Sequence, residues 1–190
     1  MKIGIVGGAF DPIHYGHLEI GKEALQRLDL KEVWFMPCYK HVFNKKIEEF
    51  HHRYKMIELA LNEVKEDGLK VSDYEGKRKG TSYTIETVRG LLKENPKFEI
   101  YWIMGDDVIE SLDKWKEPDE LVKLAKFVII SRNGKPQKLP ENSIFLGQRI
   151  SNISSTEIKE LIREGKSIEG MTPKNVIEYI KENNLYSAIE

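Results

Sequence analysis

Short apolar runs alternate along the chain with stretches in which apolar residues recur at helical spacing. Runs of strand length lie at Ile3–Val6, Glu32–Met36, Lys70–Ser72, Glu99–Met104, Phe127–Ser131 and Ser143–Phe145. After the first of these, Leu18, Ile20, Ala24, Leu25 and Leu28 mark one face of a helix, and Ile85, Val88, Leu91 and Leu92 do the same further on. The pattern predicts helices beginning near Tyr15, Phe50, Tyr83, Pro118, Ser155 and Pro173. Strands that alternate with helices predict an α/β fold, a mostly parallel sheet with helices on both faces. No repeat, low-complexity segment or linker interrupts the pattern. A single domain over 1–190 is expected, with C-terminal helices from about 154.

The first strand runs into Gly7-Gly8-Ala9-Phe10-Asp11-Pro12-Ile13-His14-Tyr15-Gly16-His17, which places two glycines and two imidazoles in a strand-to-helix turn. Glycines let a backbone approach a ligand closely, and a helix N-terminus offers free N–H groups and partial positive charge. His14 and His17 are three residues apart and project from neighbouring points of the helix start, so two imidazole donors can bracket one phosphate. Each part alone is ordinary, since a histidine beside a turn is commonly a surface residue. Their combination points to phosphate handling. The chain contains no G-x-G-x-x-G and no G-x-x-x-x-G-K-[ST], so neither a dinucleotide fingerprint nor a P-loop accounts for it.

Three further blocks carry polar residues at predicted element ends. Ser154-Ser155-Thr156 precede Ile158, Leu161 and Ile162; one serine suits an N-cap, and the same free amides suit a phosphate. Tyr101-Trp102-Ile103-Met104-Gly105-Asp106-Asp107 ends an apolar strand in a turn whose acids are either solvated or available to sugar hydroxyls. Ser82-Tyr83-Thr84 opens a helix, and Trp115 is either a core anchor or a surface for stacking on a flat ring. Lys40, His41, Lys45 and Lys46 form a basic stretch in a long connection, with Arg53 and Arg132 as further cations.

GGAFDPIHYGH resembles the signature of the HxGH nucleotidyltransferase superfamily. GTSYTIETVRGLL at 80–92, WIMGDDVIESLDKW at 102–115, KFVIISRNG at 126–134, ISSTEIKELIREGKSI at 153–168 and VIEYIKENNLY at 176–186 narrow the resemblance to the nicotinate (nicotinamide) mononucleotide adenylyltransferase family. That resemblance implies a Rossmann-like nucleotidyltransferase fold. It implies catalysis by His14 and His17, and ATP binding by Gly7, Gly8, Ala9, Phe10, both histidines, Gly105, Asp107, Ser154, Ser155, Thr156 and Lys159. It implies mononucleotide binding by Lys45, Thr84, Trp115 and Lys116. Lys159 stands where the family usually has Arg, which makes Arg163 worth following; Lys116 stands where an aromatic residue is frequent. In the 39–45 loop, Lys40 and Lys45 compete for the role of phosphate contact.

Composition adds boundaries. With 30 basic and 31 acidic residues and a net charge of -1, nothing argues for nucleic acid or an anionic membrane as partner. The single cysteine, Cys38, excludes an intramolecular disulfide, and the absence of a targeting or membrane segment makes a cytoplasmic location the expectation. No carboxylate cluster forms a metal cage, so Mg2+ is expected to arrive with ATP. The implied activity is adenylyl transfer from ATP to nicotinate mononucleotide, giving deamido-NAD and pyrophosphate in NAD biosynthesis. Nicotinamide mononucleotide, phosphopantetheine or a polyol phosphate as acceptor, and a non-catalytic nucleotide-binding regulator, are the alternatives. Whether copies associate as a homo-oligomer is open.

Overall fold

The computed structural model describes residues 1–43, 45–131, 139–147 and 151–187. Among these residues six strands form one sheet: β1 (Lys2–Gly8), β2 (Glu32–Pro37), β3 (Leu69–Val71), β4 (Glu99–Gly105), β5 (Ala125–Ile130) and β6 (Ile144–Phe145). Their order is β3-β2-β1-β4-β5-β6 and every pairing is parallel. Among the described residues seven α-helices accompany them: α1 (Tyr15–Arg27), α2 (Phe50–Val64), α3 (Tyr74–Arg78), α4 (Thr84–Glu94), α5 (Pro118–Leu124), α6 (Ser155–Arg163) and α7 (Lys174–Glu182).

Alternate residues of each strand feed opposite faces, as the two-residue period of a strand requires. From β4, Tyr101 and Ile103 join a cluster containing Leu18, Ala24, Met56, Ile57, Val176 and Ile180, whereas Ile100, Trp102 and Met104 join Ile85, Val88, Leu91 and Leu121. The first cluster lies under α1, α2 and α7, the second under α4 and α5. The alternating apolar pattern therefore becomes a sheet covered on both sides.

Two elements were not anticipated. The five-residue α3 is too short to show a period, and a 3₁₀ helix over Asp106–Lys114 follows directly where the two acids suggested a plain turn. The first strand runs on through both glycines, because Gly7 pairs with Met36 and Gly8 with Pro37. Gly7 is needed there sterically: a Cβ would lie 2.5 Å from the Trp102 ring.

Because all strands are parallel, the loops after β1, β2 and β4 leave the same edge of the sheet. The chain order reverses between β1 and β4, which opens a crevice at that edge. One buried side chain from α2 ties the crevice together. Arg53 is 0% exposed, and its guanidinium donates to the carbonyls of Glu48 at 2.7 Å, Ala9 at 2.8 Å, Cys38 at 2.8 Å and Tyr39 at 3.4 Å. Sequence composition made it a candidate phosphate cation. Its place in the fold is that of a backbone clamp joining the loops after β1 and β2 to the start of α2.

Removing the clamp leaves several buried carbonyls without donors, each costing on the order of 1–3 kcal/mol. Arg53→Met is expected to lower Tm by roughly 10 °C or more in thermal denaturation, and Arg53→Lys to recover little of it because one ammonium cannot span the fork. An unchanged Tm for Arg53→Met would refute the clamp.

Candidate active site

The crevice has two parts that meet at Gly7–Ala9. In the first, His14 is the N-cap of α1, with extended backbone at φ -148° and ψ 169°. Its ring lies stacked on that of His17, with centroids 3.7 Å apart and planes 27° from parallel. The His14 N–H donates to Nδ1 of His17 at 3.3 Å. The two imidazoles that sequence spacing put on one helix face are thus in contact. Gly16 leaves room for this: a Cβ there would lie 3.1 Å from Nδ1 of His14, so the ring would have to give by a few tenths of an ångström.

Phe10 approaches this pair from below. It adopts a left-handed φ of 49°, is 2% exposed, and meets His17 edge-on at 4.9 Å and Phe35 at 6.0 Å. Its side chain is part of the core, which leaves only its backbone to face a ligand. A non-glycine residue in that region is strained and persists where its surroundings over-determine it.

The N-terminus of α6 stands beside the histidines. Ser154 caps the helix, its Oγ accepting from the Glu157 N–H at 3.1 Å. Ser155 Oγ donates to the carbonyl of Pro12 at 2.8 Å, which fastens α6 to the histidine-bearing loop. Thr156 is exposed in the first turn. Lys159 Nζ is paired with Oδ2 of Asp11 at 2.8 Å and is largely buried. Arg163 is exposed in the last turn of α6. Two helix N-termini, α1 and α6, therefore stand next to each other, an arrangement that attracts anionic groups.

The second part is a cavity of about 290 Å³. Gly7, Gly8 and Ala9 form one wall, Trp102 and Met104 of β4 another, and Thr84, Trp115 and Lys116 line it together with Glu75, Cys38 and the 41–43 loop. The start of α4 at Thr84 has no side-chain cap: Tyr83 makes none, and Ser82 Oγ instead accepts from the Tyr39 N–H at 2.9 Å. Trp115 is half-buried, meets Phe127 at 6.5 Å as part of the core packing, and also borders the cavity. Lys116 is held by Glu86 at 2.6 Å and lies 4.8 Å over the Tyr83 ring.

Lys40 and Lys45 are both exposed, and neither lines the cavity; from their loop His41, Val42 and Phe43 do. Gly105 ends β4, and Asp106 accepts a hydrogen bond from Ser131, joining the ends of β4 and β5. The side chain of Asp107, like Asn44 and Arg132, lies outside the described residues.

Sequence reasoning missed two buried groups of this region. Glu75 is 5% exposed and accepts from Thr87 Oγ1 at 2.6 Å, with Ser82 as a second hydrogen-bond partner. Burial raises its carboxyl pKa, against the lowering by those hydrogen bonds and by Arg78 and Arg53. Asp11, at 4% exposure, carries three hydrogen bonds and anchors the loop before His14. Asp11 lies inside the signature but its role depends on Tyr186, 175 positions away, and Glu75 sits in a five-residue helix too short to show a period. Cys38 is inert by comparison: burial pushes its thiol up to about 11 despite the nearby Arg53.

Among the described residues no helix is long and apolar enough to cross a membrane, and no group of three or more His, Cys, Asp and Glu is placed to hold a metal ion.

The cytidylyltransferase-like family model matches residues 5–161. A Streptococcus mutans protein called "Probable nicotinate-nucleotide adenylyltransferase" is 37% identical over 187 residues, covering 97% of this chain and 88% of its own. A Clostridium tetani protein of the same description is 37% identical and covers 97% and 98%. Among solved structures, Plasmodium falciparum nicotinic acid mononucleotide adenylyltransferase complexed with NaAD superimposes with a TM-score of 0.82 at 25% identity, over 97% of each chain. The same protein complexed with APC gives a TM-score of 0.78. Matched by the family model over most of its length and by such relatives over nearly all of it, the chain belongs to the cytidylyltransferase-like family and, within it, to the nicotinate-nucleotide adenylyltransferases.

Proposed function

We propose that the chain transfers the adenylyl group of ATP to nicotinate mononucleotide, forming deamido-NAD and pyrophosphate. The observation that carries this is the two-part crevice: a stacked imidazole pair between two helix N-termini, opening past Gly7–Ala9 onto a cavity bordered by an indole and a third, uncapped helix start. The first part suits a triphosphate. The second suits a flat ring bearing an anionic group.

The chemistry needs no protein nucleophile. A phosphate oxygen of the mononucleotide attacks the α-phosphorus of ATP, a new P–O bond forms, and the bond to the β-phosphate oxygen breaks as pyrophosphate leaves. Positioning and charge stabilisation then supply the acceleration. His14 and His17 donate to the phosphate oxygens, aided by the positive N-terminal ends of α1 and α6. Mg2+ would enter with ATP and offset triphosphate charge, with phosphate and water supplying its ligands, since Asp11, the acid within the motif, is already engaged by Lys159 and Tyr186.

Acceptor choice follows from the charges around the cavity. The N-terminus of α4 and Lys114, which has no ion pair among the described residues, favour a carboxylate on the ring. Glu75 is the feature on the other side, an acceptor suited to a carboxamide N–H. It is already engaged by Ser82 and Thr87, so the acid is favoured.

Incubation with ATP, Mg2+ and each mononucleotide, with products identified by mass, tests the proposal. The ratio of kcat/KM is expected to favour the nicotinate form by about tenfold or more, and a reversed ratio would replace the acceptor while leaving the transfer chemistry in place. His17→Ala is expected to lower kcat roughly 100- to 1000-fold. Its Tm should fall by only about 3–6 °C, since the loss to the fold is one capping contact and the ring contacts with His14 and Phe10. Near-normal turnover in this variant would remove the proposed role. Trp115→Ala is expected to raise KM for the mononucleotide about tenfold while changing that for ATP less than about twofold. Equal losses for both substrates would make the indole purely a core anchor.

A further inference from the structure

The segment from Asp11 to Tyr15, which delivers His14, is held along its length by the last third of the chain. Ser155 holds the Pro12 carbonyl, Thr172 Oγ1 donates to the Ile13 carbonyl at 2.8 Å, and the Tyr15 N–H donates to the Met171 carbonyl at 3.0 Å. Asp11 is the most heavily engaged member. Its Oδ1 accepts from the Tyr186 hydroxyl at 2.9 Å and from the Glu48 N–H at 3.2 Å, and its Oδ2 accepts from Lys159 Nζ at 2.8 Å.

Several features mark this as a built arrangement. Tyr186 is 8% exposed, lies past the end of α7, and adopts a left-handed φ of 65°, a strained choice for a bulky residue. Burial and the charge of Asp11 raise its phenol pKa, so it remains a donor. Lys159 Nζ lies 5.9 Å from the centre of the same ring, so cation, phenol and carboxylate form one buried group. Three donors from separate segments fix both oxygens of Asp11, and with them the loop from which His14 projects.

We propose that Tyr186 and Lys159 are positioning residues, acting through Asp11 to hold His14 and His17 in register with the reacting phosphate; this rests on the adenylyl transfer proposed above. A loop without a helical hydrogen-bond ladder places its side chains only as well as its anchors do. Displacements near 1 Å at such a site cost on the order of a hundredfold in rate. On this account Lys159 acts on the protein's own loop and not on the triphosphate.

Two measurements test it: steady-state kinetics with ATP and nicotinate mononucleotide, and amide hydrogen exchange of residues 9–17 without substrate. Tyr186→Phe removes one hydroxyl and is expected to lower kcat about tenfold, with both KM values within about twofold, and to speed exchange of 9–17 by about tenfold. Lys159→Met should behave alike, and Lys159→Arg, which keeps a cation in reach of Asp11, should restore the protection. In an Asp11→Asn background, Tyr186→Phe should add less than about twofold to the loss, because both changes break the same contact. A Tyr186→Phe protein with a lower Tm but wild-type kcat and exchange would make the hydroxyl merely structural. A Lys159→Met protein with a raised KM for ATP and unchanged exchange would assign that lysine to the triphosphate. The exchange readout is independent of turnover, so a wild-type protein inactive on nicotinate mononucleotide would overturn the function while the clamp is still judged.

Discussion

A fully buried guanidinium organises this molecule. Arg53 reaches from the first turns of α2 to carbonyls of the segments after β1 and β2, and an ammonium could not serve them all. Carbonyls at a sheet edge point outward and must find donors, water or a partner strand. Here one planar donor fork satisfies several, and the loops it joins are those that wall the crevice. A phosphate-binding role for Arg53 is incompatible with that placement, since all of its nitrogens donate to protein carbonyls and none of the side chain is exposed.

Asp11 plays the complementary part on the other side of the same loop. Arg53 fixes the backbone at Ala9, and Asp11 is held two residues later by Lys159, Tyr186 and the Glu48 amide. The strained φ of Phe10 lies between these two anchors. That is the arrangement expected where a chain must turn sharply from a strand into a helix whose first residues face a ligand. The imidazoles acquire fixed positions from these anchors together with their own stacking and capping contacts.

Parallel topology explains why two chemically different subsites adjoin. With β1 central and the connections running to opposite sides, α1 and α4 start at the same edge but cover opposite faces of the sheet. The α1 side gathers α6 and its serines. The α4 side gathers Trp115, the 3₁₀ helix and Glu75. Gly7, whose Cβ would strike Trp102, is the thin partition between them.

Local chemistry determined much of this in advance. Apolar period and turn residues marked all six strands and six of the seven helices, with starts at Tyr15, Phe50, Pro118 and Ser155 matching the observed ones, because packing on both sheet faces rewards the same pattern that the sequence displays. The strand-to-helix turn with His14 and His17 was legible because its residues are contiguous. Two elements were not: α3 spans too few turns to establish a period, and the 3₁₀ helix follows a three-residue repeat in place of the α-helical one. Nor were Arg53, Asp11, Glu75, Gly16 and Tyr186 legible in their roles, since each depends on atoms that the chain brings close only after folding. Whether a lysine meets a phosphate or a carboxylate, and whether a serine caps a helix or ties it to a neighbouring loop, depends on distances between elements remote in sequence. Residue type supplies the donor; the tertiary structure chooses its partner.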